Sequence, residues 1–223
     1  MSIQTAAMTN NVAEINANLQ NGVGASQMDA AGETPLHAAA AAGSVEAIDL
    51  LVSRGADVEA RNNDGRTPLE VAAASGQLGA IQHLLARKAD LNARDHGGAA
   101  ALHLAAMAGQ AAVVQYLLDA GADPEARLEN GSTPLHVAAA SGNARVLSVL
   151  LSHHSAINPR DREGATPLHI AAAAGNWQTA QFLLLAGADI NARDNAELTP
   201  LSYAERAKKR DLAERLSRQG ATR

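Results

Sequence analysis

Apolar residues along the chain fall into two alternating patterns. One is a short run in which a leucine is followed by small residues, as in Leu36 with Ala39-Ala40, Leu102 with Ala105-Ala106 and Leu168 with Ala171-Ala172. The other is a segment with aliphatic residues three and four apart, as in Val45, Ile48 and Leu51 or Val113, Val114, Leu117 and Leu118. Such spacing puts the apolar side chains on one face of a helix. A glycine separates the two patterns each time, at Gly43, Gly76, Gly109, Gly142 and Gly175, where left-handed backbone can stop the first helix. The pattern predicts a series of helix pairs, the first of each pair thin and alanine-rich, the second broader and aliphatic.

The pairs recur at a fixed period. Thr34-Pro35-Leu36-His37 returns as Thr67-Pro68-Leu69-Glu70, Ala100-Ala101-Leu102-His103, Thr133-Pro134-Leu135-His136, Thr166-Pro167-Leu168-His169 and Thr199-Pro200-Leu201-Ser202, always 33 residues on. A threonine before a helix can accept a backbone N–H, and a proline in the first turn lacks only an N–H that has no intrahelical partner. Leucine pairs follow at Leu84-Leu85, Leu117-Leu118, Leu150-Leu151 and Leu183-Leu184, with Leu51-Val52 in the first unit. Gly-Ala-Asp then ends the second helix at Gly55, Gly121 and Gly187, while Lys88 and His154 replace that glycine elsewhere. A further glycine precedes most threonines, at Gly32, Gly65, Gly98, Gly131 and Gly164.

The Asp/Asn-x-x-Gly-x-Thr-Pro-Leu-His-x-Ala-Ala pattern, the later Leu-Leu-x-x-Gly-Ala and the 33-residue period resemble the ankyrin repeat over nearly the whole chain. The resemblance implies an all-α fold, an ankyrin-repeat solenoid of stacked helix-turn-helix units with short β-turn fingers. The expected organisation is an N-terminal capping repeat at 1–33, five internal repeats at 34–66, 67–99, 100–132, 133–165 and 166–198, and a C-terminal capping repeat at 199–223, in one continuous domain. The terminal segments keep Val12, Ile15, Leu19 and Gly22, or Leu201, Leu212, Leu216 and Gly220, among polar residues. Terminal repeats have one neighbour only, so their outer faces must be wettable. The repeat at 100–132 departs most: Ala100-Ala101 removes a helix cap worth about 1 kcal/mol, and its amides are expected to exchange faster than those of its neighbours.

Composition narrows the functional classes. The 223 residues carry a net charge of −5 and include no cysteine, which excludes disulfides, thiolate metal sites and cysteine nucleophiles. Basic residues gather in the last segment (Arg206, Lys208, Lys209, Arg210, Arg215, Arg218 and Arg223), leaving an acidic body that argues against nucleic acid as the partner. The short run Lys208-Lys209-Arg210 has no flanking aromatics and reads as solvation of the last helix pair. No signal-peptide pattern and no bilayer-length apolar stretch are visible, so the expectation is a soluble chain, cytoplasmic if natural, without membrane contact.

Catalytic patterns are missing. There is no Gly-rich phosphate loop, no His-Glu-x-x-His and no Gly-x-Ser-x-Gly. His37, His103, His136 and His169 hold one repeat position, so neighbours lie on the order of 10 Å apart, too far to share a zinc ion. The resemblance implies instead that each bonds the adjoining turn. His83 occupies a helix position filled elsewhere by Leu50, Tyr116, Val149 and Phe182, which suggests packing; His153-His154 follows a helix as a loop pair. No catalytic residue, metal site, cofactor or small-molecule substrate is expected.

What remains is binding. Arg61, Arg94, Arg127, Arg160 and Arg193 recur once per repeat and would form a basic stripe. The stripe would either recognise an acidic partner segment or pair with nearby Asp95, Asp161, Asp194, Glu129 and Glu163. The resemblance implies partner contact through the finger tips and the concave helix face. Here those positions include Asn63, Asp64, Arg66, His96, Glu129, Asn130, Arg162, Glu163 and Leu198, with Met107 on a first helix and Leu128 where other repeats carry Asp or Asn. The other first-helix positions are mostly alanine, poor in the Trp, Tyr and Arg that anchor interfaces. The expected function is a monomeric, non-enzymatic scaffold for a protein partner. Uninterrupted repeats and a bland surface fit an engineered or library-derived array; divergence between repeats fits a natural bacterial regulator or inhibitor.

Overall fold

A computed structural model describes residues 1–222. The chain divides into two compact units, Met1–Ala122 and Asp123–Arg223, Arg223 itself lying outside the described residues. The first unit contains four helix pairs: α1 (Ile3–Met8) with α2 (Val12–Gln20), α3 (Pro35–Ala42) with α4 (Val45–Ser53), α5 (Pro68–Ala74) with α6 (Leu78–Ala86), and α7 (Ala101–Met107) with α8 (Ala111–Asp119). The second contains three: α9 (Pro134–Ser141) with α10 (Ala144–Ser152), α11 (Pro167–Ala174) with α12 (Trp177–Leu185), and α13 (Pro200–Arg206) with α14 (Arg210–Arg218). No strand occurs among the described residues.

Helices this short do not persist alone in water, so burial against neighbours must hold them. Within the first unit, first helices pack in the order α1, α3, α5, α7 and second helices in the order α2, α4, α6, α8. The alanines allow the close approach: Ala39, Ala72 and Ala105 are completely buried. Ile48, Leu51, Ile81, Leu84, Val114 and Leu117 fill the space beneath the second helices. The second unit repeats the scheme with Leu135, Leu147, Leu150, Leu168, Leu183 and Leu216. Each such side chain contributes roughly 1.5–3 kcal/mol when removed from water.

The 33-residue register runs into both terminal pairs. The left-handed residue that stops α3 is Gly43, at φ 74, and its counterparts in the first and last pairs are Asn10 at φ 54 and Lys208 at φ 58. Lys88 (φ 68), His154 (φ 63) and Glu197 (φ 61) also hold left-handed turns where sister repeats have glycine. For such side chains that conformation costs about 1 kcal/mol.

Capping differs in detail from the expectation. Thr34 and Thr67 accept a backbone N–H from residue i+3, both at 3.4 Å, but Thr133 and Thr166 make no such bond. Their hydroxyls lie 3.0 and 2.9 Å from the Nδ1 atoms of His136 and His169, as the Thr34 hydroxyl lies 2.8 Å from that of His37. Ala100 has the extended backbone of a cap, φ −94 and ψ 168, without a capping side chain. The double variant Ala100→Thr/Ala101→Pro is therefore expected to stabilise the protein by about 1–2 kcal/mol, restoring a cap and pre-setting the first turn. Denaturant melts check the gain, and amide exchange in the first turn of α7 should slow with it.

Candidate functional site

Between helix pairs the chain makes a tight finger. A carboxylate or amide at its base accepts two backbone N–H groups. Asn62 Oδ1 takes those of Asp64 and Arg66 at 3.0 and 2.9 Å. Asp95 takes those of Gly97 and Ala99, Asp161 those of Glu163 and Ala165, and Asp194 those of Ala196 and Leu198. Leu128 lacks that chemistry, and there Asn130 Oδ1 caps Ser132 N–H at 3.0 Å instead. Successive fingers within a unit share one backbone bond: His96 N–H to Asp64 O at 3.0 Å, Arg162 N–H to Asn130 O at 3.0 Å, and Asn195 N–H to Glu163 O at 2.9 Å.

The recurring histidines tie each first helix to the finger that follows. His37 Nδ1 accepts the Thr34 N–H at 3.2 Å, and its Nε2 lies 2.9 Å from Arg66 O. His136 does the same with Thr133 and Ala165, and His169 with Thr166 and Leu198. One nitrogen faces a donor and the other a carbonyl, so the partners select the neutral tautomer with the proton on Nε2. Burial holds His136 and His169 below the ordinary value of 6.5, against the opposing pull of the carbonyls they bond.

This carries a pH dependence. The unfolded chain takes up protons at these histidines near 6.5 and the folded second unit does not. Their contribution to stability is thus complete above 6.5 and is lost as pH falls toward the folded value. The difference in melting temperature between the parent and the His136→Gln/His169→Gln variant is expected to be constant from pH 8 to 7 and to shift steadily against the parent below 6.5.

The arginine stripe is engaged with backbone. Arg61 Nη1 donates to Gly65 O and to Arg94 O, both at 2.6 Å. Arg127 donates to Gly131 O and Arg160 O at 2.8 and 2.7 Å, and Arg160 to Gly164 O and Arg193 O at 3.2 and 2.6 Å. Arg94 and Arg193 donate to the Gly98 and Glu197 carbonyls of their own turns. Asp95, Asp161 and Asp194, the acids expected to pair with the stripe, each cap their own finger. Arg193 does meet an acid, Glu197, at 3.7 Å. His83 differs too. It is partly exposed and its Nδ1 lies 3.0 Å from Asp49, which also binds Arg87 at 3.1 Å.

The remaining positions expected to contact a partner lie on both units. In the first, Asn63 donates to Ala30 O and Arg66 Nε to Asp95, while the exposed His96 ring covers Gly65. Asp64 is exposed at its finger tip and lies 3.8 Å from Arg66. Met107 stands on α7, 54% exposed. In the second, Glu129 and Asn130 sit exposed at one finger tip, beside a half-buried Leu128. Arg162, Glu163 and Leu198 come together in one cleft with Asp194, Asn195, Tyr203 and Arg206. Ala173 and Ala207 extend its apolar floor.

Tyr203 and Arg206 are the additions the structure makes. Tyr203 packs edge-on against His169, ring centroids 4.9 Å apart, and its hydroxyl donates to Asp194 Oδ2 at 2.8 Å. Burial and this carboxylate raise the phenol well above its ordinary value. Burial pushes Asp194 up, but bonds from Leu198 N–H, the Tyr203 hydroxyl and Ala196 N–H outweigh it and hold the carboxyl below its ordinary value. The cleft therefore has a fixed aromatic wall. Among the described residues the guanidinium groups of Arg162 and Arg206 make no hydrogen bond or ion pair. Counting on by 33 from Ala140 and Ala173 would have located Arg206 on the exposed side of the last first-helix.

Among the described residues no helix is long and apolar enough to cross a membrane, and no group of three or more His, Asp or Glu side chains is placed to hold a metal ion. No curated protein matches the chain. A family model described as ankyrin repeats (3 copies) matches residues 3–95 and again 102–194. With the repeated helix pairs, the finger turns and this match over most of its length, the chain belongs to the ankyrin-repeat family.

Proposed function

We propose that the protein is a non-catalytic docking module that holds a protein partner across its finger tips and the exposed sides of its first helices. Ankyrin repeats are generally modules for protein–protein interaction, and the cleft of the second unit carries the reading here. Interfaces draw most of their energy from a few aromatic and arginine side chains in a desolvated setting. Leu198 and Tyr203 offer an apolar wall already fixed by packing, and Arg162 and Arg206 add two cations without internal partners. That combination suits a segment presenting an apolar side chain beside carboxylates. The arginine stripe supports this site by holding the fingers in place.

The test is a photo-crosslinking residue placed at Leu198 and, in a second variant, at Leu185, which is 82% exposed on α12. One discrete adduct from position 198, abolished by Arg162→Glu/Arg206→Glu, is the expected result. For a purified partner the double charge reversal should weaken binding at least tenfold. A partner that crosslinks from Leu185 and ignores the reversal would place the interface elsewhere.

A further inference from the structure

Glu70 stands where the other internal repeats carry histidine. It is completely buried. Its Oε2 accepts the Thr67 N–H at 2.7 Å, the bond that Nδ1 makes in His37, His136 and His169. Its Oε1 is buried without a hydrogen-bond partner. The histidine Nε2 donates to the carbonyl of Arg66, Ala165 or Leu198 in the following finger, and in the 33-residue register the corresponding carbonyl here belongs to Ala99. A carboxylate has no proton to donate to it. A carboxylic acid does.

We propose that Glu70 works in the folded protein as a protonated acid, its Oε1–H donating to the Ala99 carbonyl, and that deprotonation opens this link between α5 and the finger at 94–99. The junction would thus be sensitive to a rise in pH, where the His136 and His169 junctions are sensitive to a fall. An ionised, unpartnered carboxylate beside a carbonyl is far more costly to bury than a neutral acid.

The surroundings agree. Burial raises Glu70 above its ordinary value of 4.5, with the Thr67 N–H and the Thr67 side chain pulling the other way. Asp95 adds to the rise and Arg61 opposes it, but the Nη1 of Arg61 is directed at the Gly65 and Arg94 carbonyls. The helices packed on α5 are α3, α6 and α7. They contribute His37, whose Nε2 lies 2.9 Å from Arg66 O, His103, whose Nδ1 accepts the Ala100 N–H at 3.3 Å, and His83, which is turned to Asp49. A group raised above its unfolded value stabilises fully below 4.5, and that stability is lost as pH rises through the folded value.

The experiment compares the intact chain with Glu70→Gln, whose amide keeps both bonds without titrating, and with Glu70→His, which restores the repeat pattern. Urea midpoints of the parent and Glu70→Gln should coincide at pH 4 and diverge as pH rises to 8, the variant becoming the more resistant. Exchange of backbone amides between 67 and 103 should accelerate with pH, after correction for intrinsic rates, in the parent alone. A 13C-carboxyl titration of glutamate-labelled protein should show one resonance titrating above 4.5 that disappears in Glu70→His. A pH-independent gap between the parent and Glu70→Gln, or a Glu70 resonance that titrates at or below 4.5, would overturn the proposal. The carboxyl titration needs only the parent's signal assigned, so it decides even if one variant fails to fold.

Discussion

Replacing His169 with alanine is expected to destabilise the second unit by about 4 kcal/mol, enough to consume much of a typical domain's stability. The side chain is completely buried and meets the Thr166 N–H at 3.1 Å, the Thr166 hydroxyl at 2.9 Å, the Leu198 carbonyl at 3.0 Å and the ring of Tyr203. Truncation orphans a buried donor and a buried acceptor, each costing about 1–3 kcal/mol, and leaves a ring-sized cavity besides. Urea denaturation measures the loss, and the Tyr203 resonances should shift as their packing partner goes. A cost below 1 kcal/mol would mean that water or a neighbouring group replaces the ring, and the junction would then not depend on histidine.

Gly131→Ala should cost about 3 kcal/mol although it adds only a methyl group. Gly131 has φ +83, and a Cβ there would lie 2.8 Å from Arg162 N and 3.2 Å from the Asp161 carbonyl carbon. Those atoms are backbone, and Arg162 N–H is the donor in the finger-to-finger bond with Asn130. The methyl group must therefore push apart two fingers that the fold holds in register. Gly187 supplies the control: its φ is +96, yet no atom lies within 4 Å of a Cβ built there. Gly187→Ala should carry only the backbone strain, about 1–2 kcal/mol. Equal losses from the two variants would show that strain alone acts and that close finger approach contributes nothing.

The period made most of the fold legible before any coordinates. Residues such as Pro35, Leu36, Gly43 and Leu51 announce their positions because each repeat demands the same conformation or burial there. The arginine stripe was visible as a recurrence, but its partners were not. Carbonyls of the next repeat leave no mark in a side-chain pattern. Tyr203 and Arg206 were hidden for another reason. They lie in the last helix pair, read from the sequence as a cap whose surface should be wettable, so an arginine there looks like solvation. His83 likewise resembled a packing residue by register, and only the placement of Asp49 and Arg87 shows its polar role.

The arginines that grip a carbonyl 33 residues away also say how such a chain can change over generations. In Arg61, Arg127 and Arg160 the receiving atom is the main-chain oxygen of the next arginine, and every amino acid supplies that oxygen. Duplication or loss of one whole repeat by unequal recombination would leave each guanidinium a counterpart to hold. Gain or loss of a single residue within a finger would not. Length is therefore free to evolve in steps of one repeat, and side chains at the finger tips can diverge meanwhile without loosening the joints.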